Sequence, residues 1–470
     1  MKVRTRFAPS PTGFMHIGNL RTAIFEYLLA KKYDGSFILR IEDTDQTRKV
    51  EGAIEFIYKT LELCGFKIDE GPMNEKEFGP YIQSERKELY KRYALELVEK
   101  GAAYYCFCSE SELEAMRERA SARKRPFQYD GRCSKLTKER IEENLKNGVP
   151  YVIRQKMPKT GVTIVEDVVY GKVKIDNGIL DDQILLKSDG FPTYNFANVV
   201  DDHLMGITHV IRGKEYLDQT AKYNLLYEAF EWEKPTYAHV AMVLGEDGNK
   251  LSKRNGDASF MDLYNEGYLP AAIVNYLVLL GWSPESNQEV FTMEELIQNF
   301  DEARLSKSSS SYDSKKLQWF NALYIKKMSD EEYLAWIKKY FARDVSNKNE
   351  EWVNKLLLIY KDHISYGKEI NDEVANFFED IPTSEECLEF MKSDEIIPKV
   401  VEIFKSEIES ISDWSVENIS TAIMNVKEKA GVKGKMLFMP IRIAASGLMH
   451  GPELVDTLYL IGKDKILERI

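Results

Sequence analysis

The chain has 470 residues, 44% of them hydrophobic, and its 64 Lys and Arg against 76 Asp and Glu give a formal net charge of −12. That length supports two to four domains with cores of their own, and the net acidity excludes indiscriminate binding of a polyanion, so an RNA partner would need locally basic surfaces. No apolar run approaches the roughly 20 residues of a membrane span, the opening MKVRTRF lacks the apolar centre of a signal peptide, and Cys64, Cys106, Cys108, Cys133 and Cys387 are too scattered for a disulfide framework; the expectation is a cytoplasmic protein without membrane attachment.

Val3 to Phe7 is apolar and β-branched enough for a buried strand, and Leu20, Ile24 and Leu28 recur at helical spacing after it. Between them lies Arg6 to Asn19, RFAPSPTGFMHIGN. Pro9 and Pro11 fix their φ angles, and Gly13 and Gly18 admit a ligand close to the backbone. The helix start then offers unpaired N–H groups to an anion such as phosphate, and His16 can hold a proton or donate to a phosphoryl oxygen. On its own, such a turn is most often only a turn. Ser36 to Ile41 reads as a second strand that completes a βαβ unit. It ends in Glu42, Asp43, Thr44 and Asp45, at the strand end that faces the usual ligand crevice.

A charged helix runs from about Gln83 to Gly101, and an insertion opens there. It holds Cys106 and Cys108, a basic helix with Arg117, Arg119, Arg123, Lys124 and Arg125, then Cys133. Val152 to Met157, Thr163 to Val169 and Lys172 to Ile175 read as a small sheet. The turn Ser188-Asp189-Gly190 and a strand from Thr208 to Arg212 follow. After the turn Gly245 to Gly248 comes a short basic run, Lys250-Leu251-Ser252-Lys253-Arg254. Beyond Leu263 the chain turns helical. Thr292 with Glu295 and Ser329 with Glu332 have capping-box spacing, and Ala271 to Gly281 is too short to cross a membrane and reads as a core helix. Lys427, Lys429, Lys433 and Lys435 crowd one short interval near the end.

The run from Arg6 through His16, Ile17, Gly18 and Asn19 resembles the nucleotide-binding signature of class I aminoacyl-tRNA synthetases, and PSPTG is similar to the lead-in of the glutamyl and glutaminyl branch. Asn19 stands where the general pattern has a second His. Lys250 to Arg254 resembles the KMSKS loop in its glutamyl form, and the stretch from Leu185 to Gly213 resembles the corresponding part of glutamyl-type members. The closing segment GVKGKMLFMPIRIAASG is similar to their helical anticodon-binding end, where the glutaminyl branch carries β-barrels.

Across nearly the whole chain, the resemblance implies an α/β Rossmann-type catalytic domain (residues 1–85 and 194–240) with an α+β acceptor-binding insertion (86–193). A stem-contact region with the KMSKS-like loop (241–325) and two all-α anticodon-binding subdomains (326–380 and 381–470) would follow. The implied activity is ATP-dependent attachment of L-glutamate to the 3′ end of tRNA-Glu through a glutamyl-adenylate, with Mg2+ on the phosphates and tRNA bound before activation. His16 and Lys253 would be the catalytic pair. Glutamate would meet Arg6, Ser10, Glu42, Tyr194, Asn198 and Arg212, and ATP would meet Ser10, Thr12, His16, Gly18, Asn19, Lys250, Ser252 and Lys253. Thr44, Asp45, Lys433 and Lys435 would touch tRNA. The chemistry agrees, since a dicarboxylic amino acid needs guanidinium forks for its carboxylates and a carboxylate for its ammonium, and Arg6, Arg212 and Glu42 supply them.

Some glutamyl-type members bind zinc in the insertion through Cys-x-Cys and a later Cys-x-His. Here Lys135 takes the place of that His, so Cys106, Cys108 and Cys133 make three ligands without a fourth, and a degenerate site without zinc is expected. A monomer is expected. One alternative is a relaxed enzyme that also charges tRNA-Gln, because members that reject tRNA-Gln often carry an Arg near Lys361, Asp362 and His363, and none lies between Glu351 and Tyr366. Others are an enzyme that glutamylates a modified tRNA base, a tRNA-independent nucleotidyltransferase, and a non-catalytic RNA-binding scaffold.

Overall fold

Two neighbouring strands and the helix between them anchor the fold: β1 (Arg4–Phe7), α1 (Ile17–Lys32) and β2 (Ser36–Leu39), with β1 and β2 parallel and Arg6 opposite Ile38. The structure, a computed structural model, describes residues 2–12, 15–48, 50–124, 126–249, 259–379 and 382–470. Lys250, Ser252 and Lys253 lie outside the described residues. The chain divides into two compact units, Met1–Met261 with Val274–Asp313, and Asp262–Ile273 with Ser314–Ile470.

In the first unit, α1 is apolar on nearly every side and is buried from Leu20 and Arg21 through Ala23 to Ala30, as a helix without a polar face must be. After β2 come α2 (Ala53–Leu63), α3 (Lys87–Glu99), β3 (Ala103–Cys106), α4 (Glu110–Ala122), α5 (Lys138–Lys146), β4 (Val152–Gln155), β5 (Val162–Asp167), β6 (Gly171–Asp176) and β7 (Ile184–Leu186). The chain then runs through α6 (Tyr194–Leu204), β8 (His209–Gly213), α7 (Thr220–Phe230) and β9 (Thr236–Val240). β3, β4 and β7 form an antiparallel sheet of the insertion. β8 and β9 are parallel, and β8 follows directly on a junction with β1, where Thr208 N donates to Arg4 O at 2.9 Å.

The expected insertion hairpin adopts a different alliance from its two companions. β5 alternates cleanly, with Thr163, Val165 and Asp167 inward and Val162, Ile164 and Glu166 outward, the mark of a strand with one wet face. It pairs antiparallel with β6 and meets β9 in parallel at Asp167 and Tyr237, giving the order β6-β5-β9-β8. The hairpin therefore extends the catalytic sheet and does not join β3, β4 and β7. Elsewhere the expected strands hold with ends moved by one or two residues, and the expected core helix at Ala271 spans Pro270–Leu279.

In the second unit the described elements are helical. Tyr333, Ile337, Leu356, Leu357, Val400, Phe404, Ile423, Leu437 and Leu458 are among the buried residues of one core. The expected capping box at Ser329 with Glu332 is formed here, and that at Thr292 with Glu295 is formed in the first unit. Among the described residues no helix is long and apolar enough to cross a membrane.

Candidate active site

His16 is the N-cap of α1, and its Nδ1 accepts the Gly18 N–H at 3.1 Å. A ring that accepts at Nδ1 carries its neutral-state proton on Nε2, so the same bond that starts the helix presents a donor. A Cβ on residue 18 would come within 3.0 Å of His16 Cε1, which is why glycine stands there. The cleft in front of this helix start has a volume of about 290 Å³. Eight expected residues line it together: Arg6, Ser10, Thr12, His16, Gly18, Asn19, Tyr194 and Arg212. Val240 to Val243 complete one wall, and Ser259, the first described residue after the second signature, forms an antiparallel bridge with His16.

Glu42 and Asn198 do not form the walls; both are buried, 3% and 2% exposed. Glu42 belongs to a buried ionic network around the cleft. Asp202 accepts from Arg6 Nε at 3.0 Å and faces Arg40 Nη1 at 2.8 Å. Arg6 Nη1 donates to Glu26 at 3.2 Å, and Arg40 Nη2 donates to Glu42 Oε1 at 3.1 Å. Asp201 accepts from Gln83, Arg86 and Tyr90 at 2.8, 2.8 and 2.7 Å. α6 presents Tyr194, Asn198, Asp201 and Asp202 at helical spacing, so one helix supplies cleft wall and network together.

Burial pushes the Glu42 carboxyl up to about 7 against the pull of Arg40 and Arg6, and pushes Glu26 up to about 8 against Arg6. Asp202 goes the other way, because Arg6 and Arg40 together outweigh the effect of its burial and hold it below the usual carboxylate range. Glu42 Oε2, an acceptor, and Asn198 Nδ2, a donor, are buried with no hydrogen-bond partner among the described residues. Orphaned groups of this kind beside a cleft fit a ligand that brings its own donors and acceptors.

Arg212 is boxed by aromatic rings, with its guanidinium carbon 4.6 Å from the Tyr223 ring centre and 5.5 Å from that of Tyr216. Arg21 was not expected here. It lines the cleft and donates to the carbonyls of Leu280 and Ala241, tying α1 to the wall after β9. Arg40, Asp202 and Glu26 were also missed; their only sequence signal is a charge inside an apolar run.

Among the described residues, Thr44, Asp45, Lys433 and Lys435 do not line the cleft. Asp45 is exposed and accepts from Thr47 Oγ1 at 2.7 Å, whereas Thr44 is buried. Lys433 and Lys435 are exposed on the second unit, with Lys435 Nζ 5.0 Å from the Phe390 ring centre. The insertion thiols converge: one donor atom from each of Cys106, Cys108 and Cys133 lies within 4.8 Å of the others. The Tyr129 hydroxyl stands 3.4 Å from Cys106 Sγ and 3.3 Å from Cys108 Sγ. Three thiols and one phenol oxygen thus converge in the insertion, a donor set that would suit a tetrahedral, thiophilic ion.

Parallel strands β1 and β2 joined through a helix whose start opens on a cleft, with an arginine and a tyrosine lining that same cleft, are the arrangement of a nucleotide-binding α/β domain. Residues 2–319 match the family model of tRNA synthetases class I (E and Q), catalytic domain, and residues 331–470 match that of an anticodon binding domain. The chain belongs to the glutamyl and glutaminyl family of class I aminoacyl-tRNA synthetases. It is 50% identical over 479 residues to a glutamate–tRNA ligase of Clostridium novyi (strain NT), covering 100% of this chain and 97% of that one. A glutamate–tRNA ligase of Clostridium acetobutylicum is 48% identical over 477 residues, with the same coverage. Among solved structures, glutamate-tRNA synthetase from Elizabethkingia anophelis matches with a TM-score of 0.91 at 36% identity, over 100% of this chain and 99% of that one. A glutamate tRNA ligase from Elizabethkingia meningosepticum, solved in complex with its amino acid, matches with a TM-score of 0.90 at 36% identity, over 100% and 98%.

Proposed function

We propose that the protein attaches L-glutamate to the 3′ end of tRNA-Glu in two steps, at the expense of ATP, acting as a monomer in the cytoplasm. The observation that supports this reading is that one cleft is lined both by Thr12, His16, Gly18 and Asn19 around the helix start and by Arg6, Tyr194 and Arg212. In the first step a glutamate α-carboxylate oxygen bonds to the α-phosphorus of ATP, and the bond to pyrophosphate breaks. No covalent nucleophile of the protein is needed. The helix N-terminus and His16 Nε2–H stabilise charge on the phosphoryl oxygens, and Lys253 does the same from the second signature, with Lys250 and Ser252 assisting. Magnesium, when bound, neutralises phosphate charge. In the second step a hydroxyl of the tRNA terminal ribose attacks the mixed anhydride and releases AMP.

Glutamate is read by its two ends. Glu42 attracts the ammonium, with Ser10, Tyr194 and Asn198 shaping the pocket, while Arg6 and Arg212 meet the carboxylates. One charged hydrogen bond to the side-chain carboxylate contributes roughly 1.5 to 3 kcal/mol, enough to prefer glutamate over glutamine about ten- to a hundredfold. Thr44 and Asp45 lie toward the tRNA end, and Lys433 and Lys435 contact its backbone in the anticodon-binding unit. The decisive experiment is charging of total tRNA with labelled glutamate, expected to depend on ATP and to fail with labelled glutamine. ATP–pyrophosphate exchange that proceeds equally well without tRNA would point instead to a small-molecule nucleotidyltransferase.

A second reading widens the tRNA range to tRNA-Gln, favoured by the absence of Arg between Glu351 and Tyr366. Charging assays with both purified tRNAs decide it, and failure on tRNA-Gln removes it.

A further inference from the structure

Arg212 is not aimed by its strand alone. Its Nε donates to His239 Nε2 at 3.3 Å and its Nη2 to Thr220 Oγ1 at 2.8 Å, while Nη1 has no hydrogen-bond partner among the described residues. An imidazole nitrogen accepts from a guanidinium only while it carries no proton. The single proton of neutral His239 must then sit on Nδ1, and Nδ1 lies 2.7 Å from Asp167 Oδ2. That oxygen also accepts the His239 main-chain N–H at 3.0 Å. Oδ1 of the same carboxylate accepts the N–H groups of Val169 and Tyr170 at 2.9 and 2.8 Å, so Asp167 cannot turn away.

The side chains of His239 and Asp167 are both sealed from water. Charged or titratable groups facing the imidazole are Asp167 from β5, Arg212 from β8, Glu215 from the turn after it, and Tyr237 two residues back on β9. Thr220 Oγ1 stands 3.1 Å from His239 Nε2 and 2.9 Å from Tyr216 O, so its hydroxyl can serve either acceptor. A proton on Nε2 could be taken up only by Thr220 Oγ1 and would break the bond from Arg212 Nε. Burial, with Arg212 adding to it, outweighs the opposing pull of Asp167 and Glu215 and lowers the affinity of the ring for a second proton.

We propose that His239, held as its Nδ1–H tautomer by Asp167, is a positioning residue that fixes Arg212 for recognition of the substrate side-chain carboxylate. This rests on the reading of Arg212 given above. Asp167 belongs to the hairpin of the insertion, so the segment expected to hold the tRNA acceptor end also sets the aim of the group that tells a carboxylate from an amide. Anchoring Nε and Nη2 on protein acceptors leaves Nη1 for the ligand and removes the freedom a long arginine would otherwise spend.

The test uses the full chain in two ways. With isotopically labelled histidine, long-range proton–nitrogen correlation at about pH 7.5 reports the tautomer, and His239→Gln identifies the signal among the six histidines. The expected result is a protonated Nδ1 and an unprotonated Nε2; an imidazolium or the opposite tautomer overturns the proposal. In charging assays, His239→Leu should raise the KM for glutamate roughly ten- to a hundredfold, with kcat and the KM for ATP changing far less. His239→Gln, whose amide oxygen can still accept from Arg212, should recover most of that loss. A His239→Leu enzyme with the glutamate KM of the wild type overturns the proposal. If the leucine variant does not fold, the tautomer and the glutamine variant decide. Arg212→Gln separates the two ideas. Should it raise KM while His239→Leu does not, only the present inference falls; should it leave KM unchanged, the reading of Arg212 falls with it.

Discussion

Glu42 accepts from Arg40, two positions earlier in the chain, at 3.1 Å, and both side chains are buried. Adjacent same-face positions of an extended chain have thus been given opposite charges and then buried. Burial drives Glu42 upward, Arg40 and Arg6 pull it back, and the carboxyl comes to rest at about 7.

That value makes the glutamate KM depend on pH. Above about pH 7 Glu42 is ionised and attracts the ammonium of the substrate; below it the acid form offers no charge, so KM should rise by up to about tenfold per pH unit. The substrate keeps its own charges over that range. A KM–pH profile checks this, and Glu42→Gln should give a high KM with no such slope. A flat profile in the wild type would separate Glu42 from the ammonium.

Asp202 joins Arg6 to Arg40 inside the same network. Replacing it by alanine takes one carboxylate from each of two buried guanidinium groups and leaves Arg6 with Glu26 and Arg40 with Glu42, a loss on the order of 3 to 5 kcal/mol. Urea unfolding followed through the first unit should show a midpoint lowered accordingly. A shift under about 1 kcal/mol would mean that water enters and rescues the arginines.

Lys253→Ala should slow adenylate formation by about a hundredfold or more, as loss of a preorganised charge on a transferring phosphoryl group does. The KM for glutamate should barely change. Single-turnover formation of the adenylate with tRNA bound is the measurement, and a nearly normal rate takes Lys253 out of the chemistry.

Cys106, Cys108, Cys133 and Tyr129 should hold about one zinc per chain when the protein is prepared without chelator. Cys133→Ser should empty the site, and Tyr129→Phe should weaken it while leaving the sulfurs in place. Elemental analysis of the purified protein decides; metal-free protein with unchanged charging would return the cluster to a packing role.

The parts of the fold that were legible are those written in local pattern. The strand, turn and helix from Arg4 to Lys32 follow from periodicity, two prolines and a glycine that His16 requires. The capping boxes follow from pairs three residues apart. What stayed hidden depends on partners far away in the chain. Arg40 looks like a strand terminus until Asp202 is seen against it, and Tyr129 looks like a loop aromatic until the thiols surround it. His239 gave no signal, because its role comes from Asp167 on another strand.

The meeting of β5 with β9 at Asp167 and Tyr237 bears on how such enzymes can be taken apart. A chimera that exchanged residues 86–193 with a distant relative would expose the flank of β9 and swap the carboxylate that His239 leans on. Grafts cut on either side of the β5–β6 hairpin, leaving it with its host, are the ones that should retain a working amino acid pocket.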